Sequence, residues 1–391
     1  MSDVVSIKEL LDGVEVEWKS LGKCSLIKRG QRVTKNELAS ENKYPVYSGG
    51  VTPMGYFEKF NQNANTIIVT KYGTAGFVNF ITEKFWANDV CYCITPDKEL
   101  NNKFLFYFIK NLQNFIQSQV TNAIPAHLPT EVISNLQIPI PSLHVQSEIV
   151  RILDNFTELT AELTAELSAR KKQYNYYRNQ LLTFDESEVE WKTLGEVGEL
   201  VRGSGLPKTD FTETGVPAIH YGQIYTYYGT LTTETKSFVS YETAKKLKKV
   251  DTGDVVITNT SENLEDVGKA VVYLGKLQAV TGGHATIFKP SKNILGKYFA
   301  YFTQTEMFAS QKRKYAKGTK VIDVSATDMS KILIPIPSAE EQARIVAILD
   351  KFDTLTNSIS EGLPHEIELR QKQYEYYRDM LLNFSKKEVE V

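Results

Sequence analysis

Apolar positions in the first half of the chain fall into two interleaved series. Ile149, Phe156, Leu163 and Tyr177 occupy one heptad position and Leu153, Leu167, Tyr174 and Leu181 the other, with only Thr160 and Arg170 interrupting. A 3.5-residue average spacing puts both series on one helical face, the pattern of helices that pair side by side. It predicts a single helix of about 40 residues, roughly 60 Å long at 1.5 Å per residue. Ser142 follows a proline and precedes the pattern, as an N-cap does. The second half carries the same stripe at Ile345, Leu349, Phe352, Tyr374, Tyr377 and Leu381, behind Ser338. Ser338 with Glu341 reads as a capping box. Gly362-Leu363-Pro364 lies inside this second pattern and predicts a break, with Pro364 in the first turn of the restarted helix. The runs Ile67-Ile68-Val69-Thr70 and Val255-Val256-Ile257-Thr258 predict buried strands. The aromatic segments 103–108 and 297–302 predict helices packed on a sheet.

These elements recur because the chain is one unit written twice. Val16-Glu17-Trp18-Lys19 returns as Val189-Glu190-Trp191-Lys192, and Ile138-Pro139-Ile140-Pro141 as Ile334-Pro335-Ile336-Pro337. QSEIVRILDNFTELT from Gln146 matches QARIVAILDKFDTLT from Gln342, and RKKQYNYYRNQLLTF from Arg170 matches RQKQYEYYRDMLLNF from Arg370. Glu388-Val389-Glu390 repeats the Glu188-Val189-Glu190 that leads into the second unit. The expected geometry is a near-circular path: domain, helix, domain, returning helix. The helices then run antiparallel, with a pseudo-twofold axis between the halves. The expected fold class is α+β, two mixed α/β domains joined by a coiled coil. The expected boundaries are 1–142 for the first domain, 143–184 for the first helical spacer, 185–338 for the second domain and 339–391 for the second spacer. Within the first spacer, Thr-Ala-Glu-Leu is written twice, at 160–163 and 164–167. Four helical residues add about 6 Å and rotate by about 40° net. A DNA base pair adds about 3.4 Å and about 34–36°. The tetrapeptide step therefore suits retuning the distance between two DNA half-sites by about one base pair, the alternative being a chance helix-forming repeat.

Composition narrows the picture less. Among 391 residues, 42% are hydrophobic and 24% charged, ordinary for a soluble globular protein. The opening MSDVVSIKELL lacks a basic region followed by an apolar core, so no secretory signal is expected. Three cysteines, Cys24, Cys91 and Cys93, are too few and too odd in number for a disulfide framework and suit a reducing cytoplasm as buried thiols. The net charge of −2 shows none of the basic excess usual in nucleic-acid binders, so any DNA contact must come from local patches or from partners.

The halves differ mainly in polar loops between shared anchors, as a pair of recognition modules would. Candidate DNA contacts in the first domain are Lys35, Tyr47, Ser48, Lys71, Tyr72 and Thr74. In the second they are Lys208, His220, Tyr221, Gln223, Tyr225, Asn259, Ser261, Arg313, Lys317 and Lys320. Gln and Asn match the adenine edge, Lys reaches guanine O6 and N7, and Lys, Ser and Thr suit phosphates. The basic run Lys312-Arg313-Lys314 is a candidate for backbone contact. The histidines lack metal-ligand spacing, so no metal or cofactor is expected. No phosphate-binding loop, nucleophile elbow or aminomethyltransferase motif is present in the sequence, and no catalytic residue is assigned.

The order of domain, Ile-Pro-Ile-Pro, Gln-x-x-Ile-Val-x-Ile-Leu-Asp-x-Phe and Arg-x-Lys-Gln-Tyr-x-Tyr-Tyr-Arg, repeated once, closely resembles the specificity subunits of type I restriction–modification systems. The duplicated Thr-Ala-Glu-Leu looks most like the type IC group. The resemblance covers essentially the whole chain. It implies two target-recognition domains, each reading one half of a split, asymmetric site on double-stranded DNA. The helices would act as a molecular ruler and dock two methyltransferase subunits. Restriction subunits, the ATP-driven translocase and endonuclease, would join that core. Methylation and cleavage would belong to those partners. Two other readings remain at this point. A fused methyltransferase or nuclease would act on DNA unaided, and a coiled-coil scaffold would discriminate no DNA sequence.

Overall fold

The structure is a computed structural model that describes residues 9–41, 43–358 and 360–384. The repeated Glu388-Val389-Glu390 lies outside the described residues. Two compact units are present. Unit 1 runs to Glu162 and resumes at Glu368, and unit 2 spans Leu163–Ile367. No helix among the described residues is long and apolar enough to cross a membrane.

In unit 1 the two repeated motifs meet each other. Strand β1 (Glu17–Ser20) pairs antiparallel with β2 (Gln137–Ile140), Trp18 facing Pro139. This two-stranded ribbon tolerates the proline because such edges need few ladder donors. A four-stranded antiparallel sheet follows the order Ser25–Arg29, Cys91–Pro96, Thr66–Thr70, Val78–Ile81. All five residues of Thr66–Thr70 are buried, as the apolar run predicts. Helix Asn102–Asn111 packs on this sheet through Phe104, Leu105 and Phe108, its N-terminus capped by Asn101.

Unit 2 repeats the plan. Glu190–Thr193 pairs with Leu333–Ile336, Trp191 facing Pro335. The sheet order Gly198–Arg202, Ala285–Pro290, Val255–Thr258, Ala270–Tyr273 matches unit 1 and adds the short strand Leu231–Thr232 at its edge. Helix Gly296–Phe302 packs on it through Tyr298, Phe299 and Phe302.

The first spacer is a continuous helix, α1 (Leu143–Leu181), and Ser142 Oγ accepts from Val145 N at 3.4 Å at its start. The second is broken as expected, into α2 (Ala339–Asn357) and α3 (Leu363–Leu381), with Pro364 in the first turn of α3. Gly362 belongs at this joint because a Cβ there would lie 2.2 Å from Thr354 O. The capping box at Ser338 is only half made. Ser338 Oγ accepts from Glu341 N at 3.2 Å, but the Glu341 carboxylate is taken by Arg344 at 2.6 and 2.7 Å.

Each unit contains a helix pair formed from both spacers. In unit 1, Phe156 stacks on Tyr377 with centroids 5.2 Å apart, and Ile149, Leu153 and Leu381 are fully buried in the core, with Tyr374 packed at its margin. In unit 2, Phe352 stacks on Tyr174 and Tyr177 at 6.0 and 5.7 Å, and Ile345 and Leu349 are fully buried, with Leu181 at the margin. The heptad is weakest in the middle. Leu163 and Leu167 are only half-buried and belong to neither core. The break between α2 and α3 denies a continuous seam a continuous partner.

The matching Gln and Asp of the two spacers bind each helix to its domain. Gln146 is fully buried; its Nε2 donates to Glu99 O and Pro141 O at 2.9 and 2.8 Å, and its Oε1 accepts from Asn101 N at 2.7 Å. Gln342 does the same with Asn293 O, Pro337 O and Leu295 N at 2.9, 3.0 and 2.9 Å. Asp154 accepts from Tyr107 Oη and Lys103 Nζ, both at 2.6 Å. Asp350 accepts from Tyr301 Oη and Lys297 Nζ, both at 2.7 Å. Burial and the carboxylate beside them push both tyrosine hydroxyls well above their usual range. Gln342→Leu keeps the volume but leaves buried backbone groups unpaired. It is expected to lower stability by on the order of 3 kcal/mol. Urea unfolding should show the shift, and Glu340→Ala on the exposed face should not.

All three cysteines are free and buried. Burial pushes Cys24 up to about 11 and Cys91 and Cys93 up to about 12, so they remain protonated thiols.

Candidate nucleic-acid interface

In unit 1 the buried strand Thr66–Thr70 delivers the chain into the loop 71–76. Backbone bonds fix that loop. Thr70 N donates to Phe77 O at 3.0 Å, Gly76 N to Thr70 O at 2.8 Å, Lys71 N to Val90 O at 2.7 Å and Leu128 N to Lys71 O at 2.9 Å. Gly76 takes φ +82°, and a Cβ there would meet Gln117 Cγ at 2.9 Å. The loop after Tyr47 lies directly against it. Thr74 N and Oγ1 both donate to Gly49 O, at 2.8 and 3.1 Å. Gly73, at φ +79°, approaches Gly49 so closely that a Cβ would lie 2.4 Å from Gly49 O.

Five of the six expected residues of unit 1 therefore share one region. Lys71 Nζ lies 5.5 Å from the Tyr72 ring centre and 5.6 Å from that of Tyr92. The Tyr72 ring packs against His127 at 5.6 Å. Tyr47 rests edge-on against Phe85, and burial raises its hydroxyl pKa. Ser48 is half-buried and Thr74 exposed. Lys35 is exposed on its own turn, Lys35–Glu37.

Unit 2 uses the same four-bond frame around different side chains. Thr258 N donates to Lys269 O at 2.8 Å, Gly268 N to Thr258 O at 2.8 Å, Asn259 N to His284 O at 2.9 Å and Val324 N to Asn259 O at 3.0 Å. Asn259 is thereby the counterpart of Lys71. Its side chain, however, is fully buried and makes no hydrogen bond. Ser261 is 8% exposed, in a bridge to Ile322. His220 is 6% exposed; its Nδ1 accepts from Gly222 N at 3.2 Å, and burial, with Lys208 and His284 nearby, lowers its pKa. Its ring is 4.4 Å from that of Tyr221, which in turn lies 4.8 Å from His284. Gln223 is half-buried and committed to the fold. Its Nε2 donates to Ser237 Oγ at 2.6 Å, and it completes the capping box of helix Tyr221–Thr226. Tyr225 is half-buried, with its hydroxyl pKa raised by burial.

The basic residues divide sharply. Lys312 is 6% exposed, donates to Val267 O at 2.5 Å, and is lowered by burial to about 8, so it does not face solvent as the Lys312-Arg313-Lys314 run suggests. Gly268 makes room for its side chain. Arg313 is exposed and pairs with Glu306. Lys317 reaches Asp328 at 3.0 Å yet is 77% exposed. Lys320 is exposed and makes no ion pair among the described residues. Lys208 is exposed on the turn Lys208–Asp210, as Lys35 is on the matching turn of unit 1.

Residue-by-residue chemistry missed one element of unit 1. The segment 120–128 is a hairpin-shaped loop without strands of its own, closed by Thr121 N to His127 O at 2.9 Å, whose root touches Lys71 and Tyr72 through Leu128 N and a bridge between Tyr72 and His127. It is the counterpart of 316–324, which carries Lys317 and Lys320. Its signal was available: Leu128 and Val324 stand equally far before Ile138 and Ile334.

The profile of the type I restriction modification DNA specificity domain matches residues 13–170 and again 186–369. Among curated proteins, the chain is similar to a type I restriction enzyme specificity subunit of Escherichia coli, 37% identical with 99% of each chain covered. A second such subunit of E. coli is 32% identical over 92% of this chain and 93% of its own. Among solved structures, the S subunit of a type I restriction–modification system from M. genitalium aligns with TM-score 0.62 at 20% identity, covering 96% of this chain and 98% of that one.

Proposed function

Because the chain belongs to the family of type I restriction–modification specificity subunits, we propose that each of its units reads one half of a bipartite, asymmetric site on double-stranded DNA. The observation that carries this reading is the shared four-bond frame, which holds Lys71 in one unit and Asn259 in the other. A constant backbone frame carrying loops of different sequence suits two modules reading different sequences. In unit 1, Lys71, Tyr72, Thr74, Ser48 and Tyr47 form the reading loops, and Lys35 contacts phosphate. In unit 2, Lys208, Arg313, Lys317 and Lys320 contact phosphate, Tyr225 and Tyr221 face the bases, and Gln223, its amide held by Ser237 and the helix cap, positions them. Asn259, Ser261 and His220, being buried, shape those loops from beneath.

In this reading the recognition domains are 1–142 and 185–338, and the spacers 143–184 and 339–391. The spacers dock two methyltransferase subunits, to which restriction subunits attach. The chain itself performs no catalysis; methylation and ATP-driven cleavage belong to the partners. The near-neutral chain relies on those partners to close positive charge around the DNA.

Methylome sequencing of cells with and without the chain tests the reading. Loss of one bipartite adenine-methylation motif is expected, and an unchanged methylome overturns it. With that motif in hand, Lys71→Ala should relax discrimination in one half-site only, by about 1–3 kcal/mol. Lys317→Ala and Lys320→Ala should instead weaken binding to all sequences alike and flatten its salt dependence.

A further inference from the structure

Each unit extends one hairpin beside its reading loop, and each hairpin ends in an exposed branched aliphatic side chain. In unit 1 the tip is Asn122-Ala123-Ile124-Pro125-Ala126, all exposed, with Ile124 at 100%. In unit 2 the tip contains Val321, 58% exposed, next to exposed Lys320. A single exposed aliphatic residue carries no message. An exposed aliphatic group in the matching loop of the second unit does, although Val321 stands one place beyond Lys320, the residue level with Ile124, because the other loop residues have diverged.

Both hairpins are held firmly. In unit 1, Thr121 N donates to His127 O at 2.9 Å, Thr121 Oγ1 bonds His127 Nδ1 at 3.0 Å, and Tyr92 Oη donates to Leu128 O at 2.9 Å. In unit 2, Lys317 N donates to Asp323 O at 3.0 Å and Asp323 N to Lys317 O at 2.8 Å, while Arg202 reaches the Asp323 carboxylate at 3.2 Å. Gly318, at φ +105°, turns so tightly that a Cβ would lie 2.0 Å from Val321 O. These tips are thus presented on braced supports, and neither aliphatic group helps bury the core.

We propose that Ile124 and Val321 are apolar contacts to DNA base pairs, one for each half-site, with Ile124 beside the base-reading Lys71 and Val321 beside Lys317 and Lys320, which take phosphates. The proposal rests on the half-site reading above. The charge setting favours DNA as the occupant: Lys71 stands at the root of the first hairpin, and Lys317 and Lys320 flank Val321. Branched aliphatic side chains serve such contacts elsewhere, as wedges at base steps or against thymine methyl groups. Contacts of this kind supply sequence dependence that a fully basic loop lacks.

The test uses the chain assembled with its methyltransferase subunits and the motif found by methylome sequencing. Three duplexes are compared: cognate, first-half scrambled and second-half scrambled, the halves being assigned by domain exchange. Ile124→Ala should weaken cognate binding roughly ten- to fiftyfold through loss of three buried carbons. It should have little effect on the duplex whose unit 1 half-site is already scrambled. Val321→Ala should do the same for the other half-site, with a smaller loss. Ile124→Leu should restore most of the binding. Melting temperature should not move, since the side chain is exposed in the free chain. Unchanged cognate binding by both alanine variants overturns the proposal, as does an equal loss on all three duplexes. Failure of the unaltered complex to distinguish the duplexes instead overturns the half-site reading beneath it.

Discussion

Phe352→Asp should destabilise the protein by about 3–5 kcal/mol, the scale of a large side chain lost from a packed interface with a charge left in its place. Phe352 stacks on Tyr174 and Tyr177, so its loss removes two ring contacts at once. The surroundings make the carboxylate worse. Asp353 already has its pKa raised, chiefly by burial and then by the nearby Asp350. A third acid there adds like-charge repulsion in a poorly solvated place. Burial raises an acid's pKa in the folded state, so its stability contribution is present at low pH and lost as pH rises. The deficit of the variant should therefore narrow as pH falls toward the carboxylate range. Thermal unfolding across pH checks this, with Phe352→Leu as the apolar control. Half-site preference should survive in whatever fraction stays folded, because the ring lies in the helix pair and not in a reading loop.

Inserting a third Thr-Ala-Glu-Leu copy after residue 167 should lengthen the unspecified spacer of the DNA site by one base pair, leaving both half-sites unchanged. The insertion falls where the chain tolerates it. Ala161, Glu162, Thr164, Ala165 and Glu166 are exposed, and Leu163 and Leu167 lie outside both cores. Four more residues advance the helix by about 6 Å and about 40°, close in rotation to one base-pair step. Methylome sequencing reads the outcome directly. An unchanged spacer removes the tetrapeptide from any ruler role. A change in either half-site sequence places recognition partly in the spacer.

The scaffold was legible because packing repeats itself in the sequence. Phe156 and Phe352, or Gln146 and Gln342, sit in the same motif and meet the same kinds of partner. Apolar periodicity reports burial, and burial is what those positions share. The Ser338–Glu341 capping box failed for a local reason: Arg344, one turn on, competes for the carboxylate. The loops were less legible. Asn259 and Lys312 have side chains typical of DNA contacts, yet both are buried. Residue type does not reveal which way a loop side chain faces. Gln223 shows a further cost of local reading, since its amide is spent on Ser237 and on a helix cap. Ile124 went unmarked because an apolar residue in a polar loop matches no recognised hydrogen-bonding chemistry.

The joint between Asn357 and Leu363 has a bearing on how such proteins diversify. The first spacer is one unbroken helix, while the second is broken between Asn357 and Leu363, with Gly362 at the joint. Were both spacers rigid, every change of length in one would demand a matched change in the other. A second spacer made of two helices, with five residues between them, removes that demand. If the tetrapeptide sets the spacer as proposed, a single unequal crossover within it changes the DNA specificity in one genetic step.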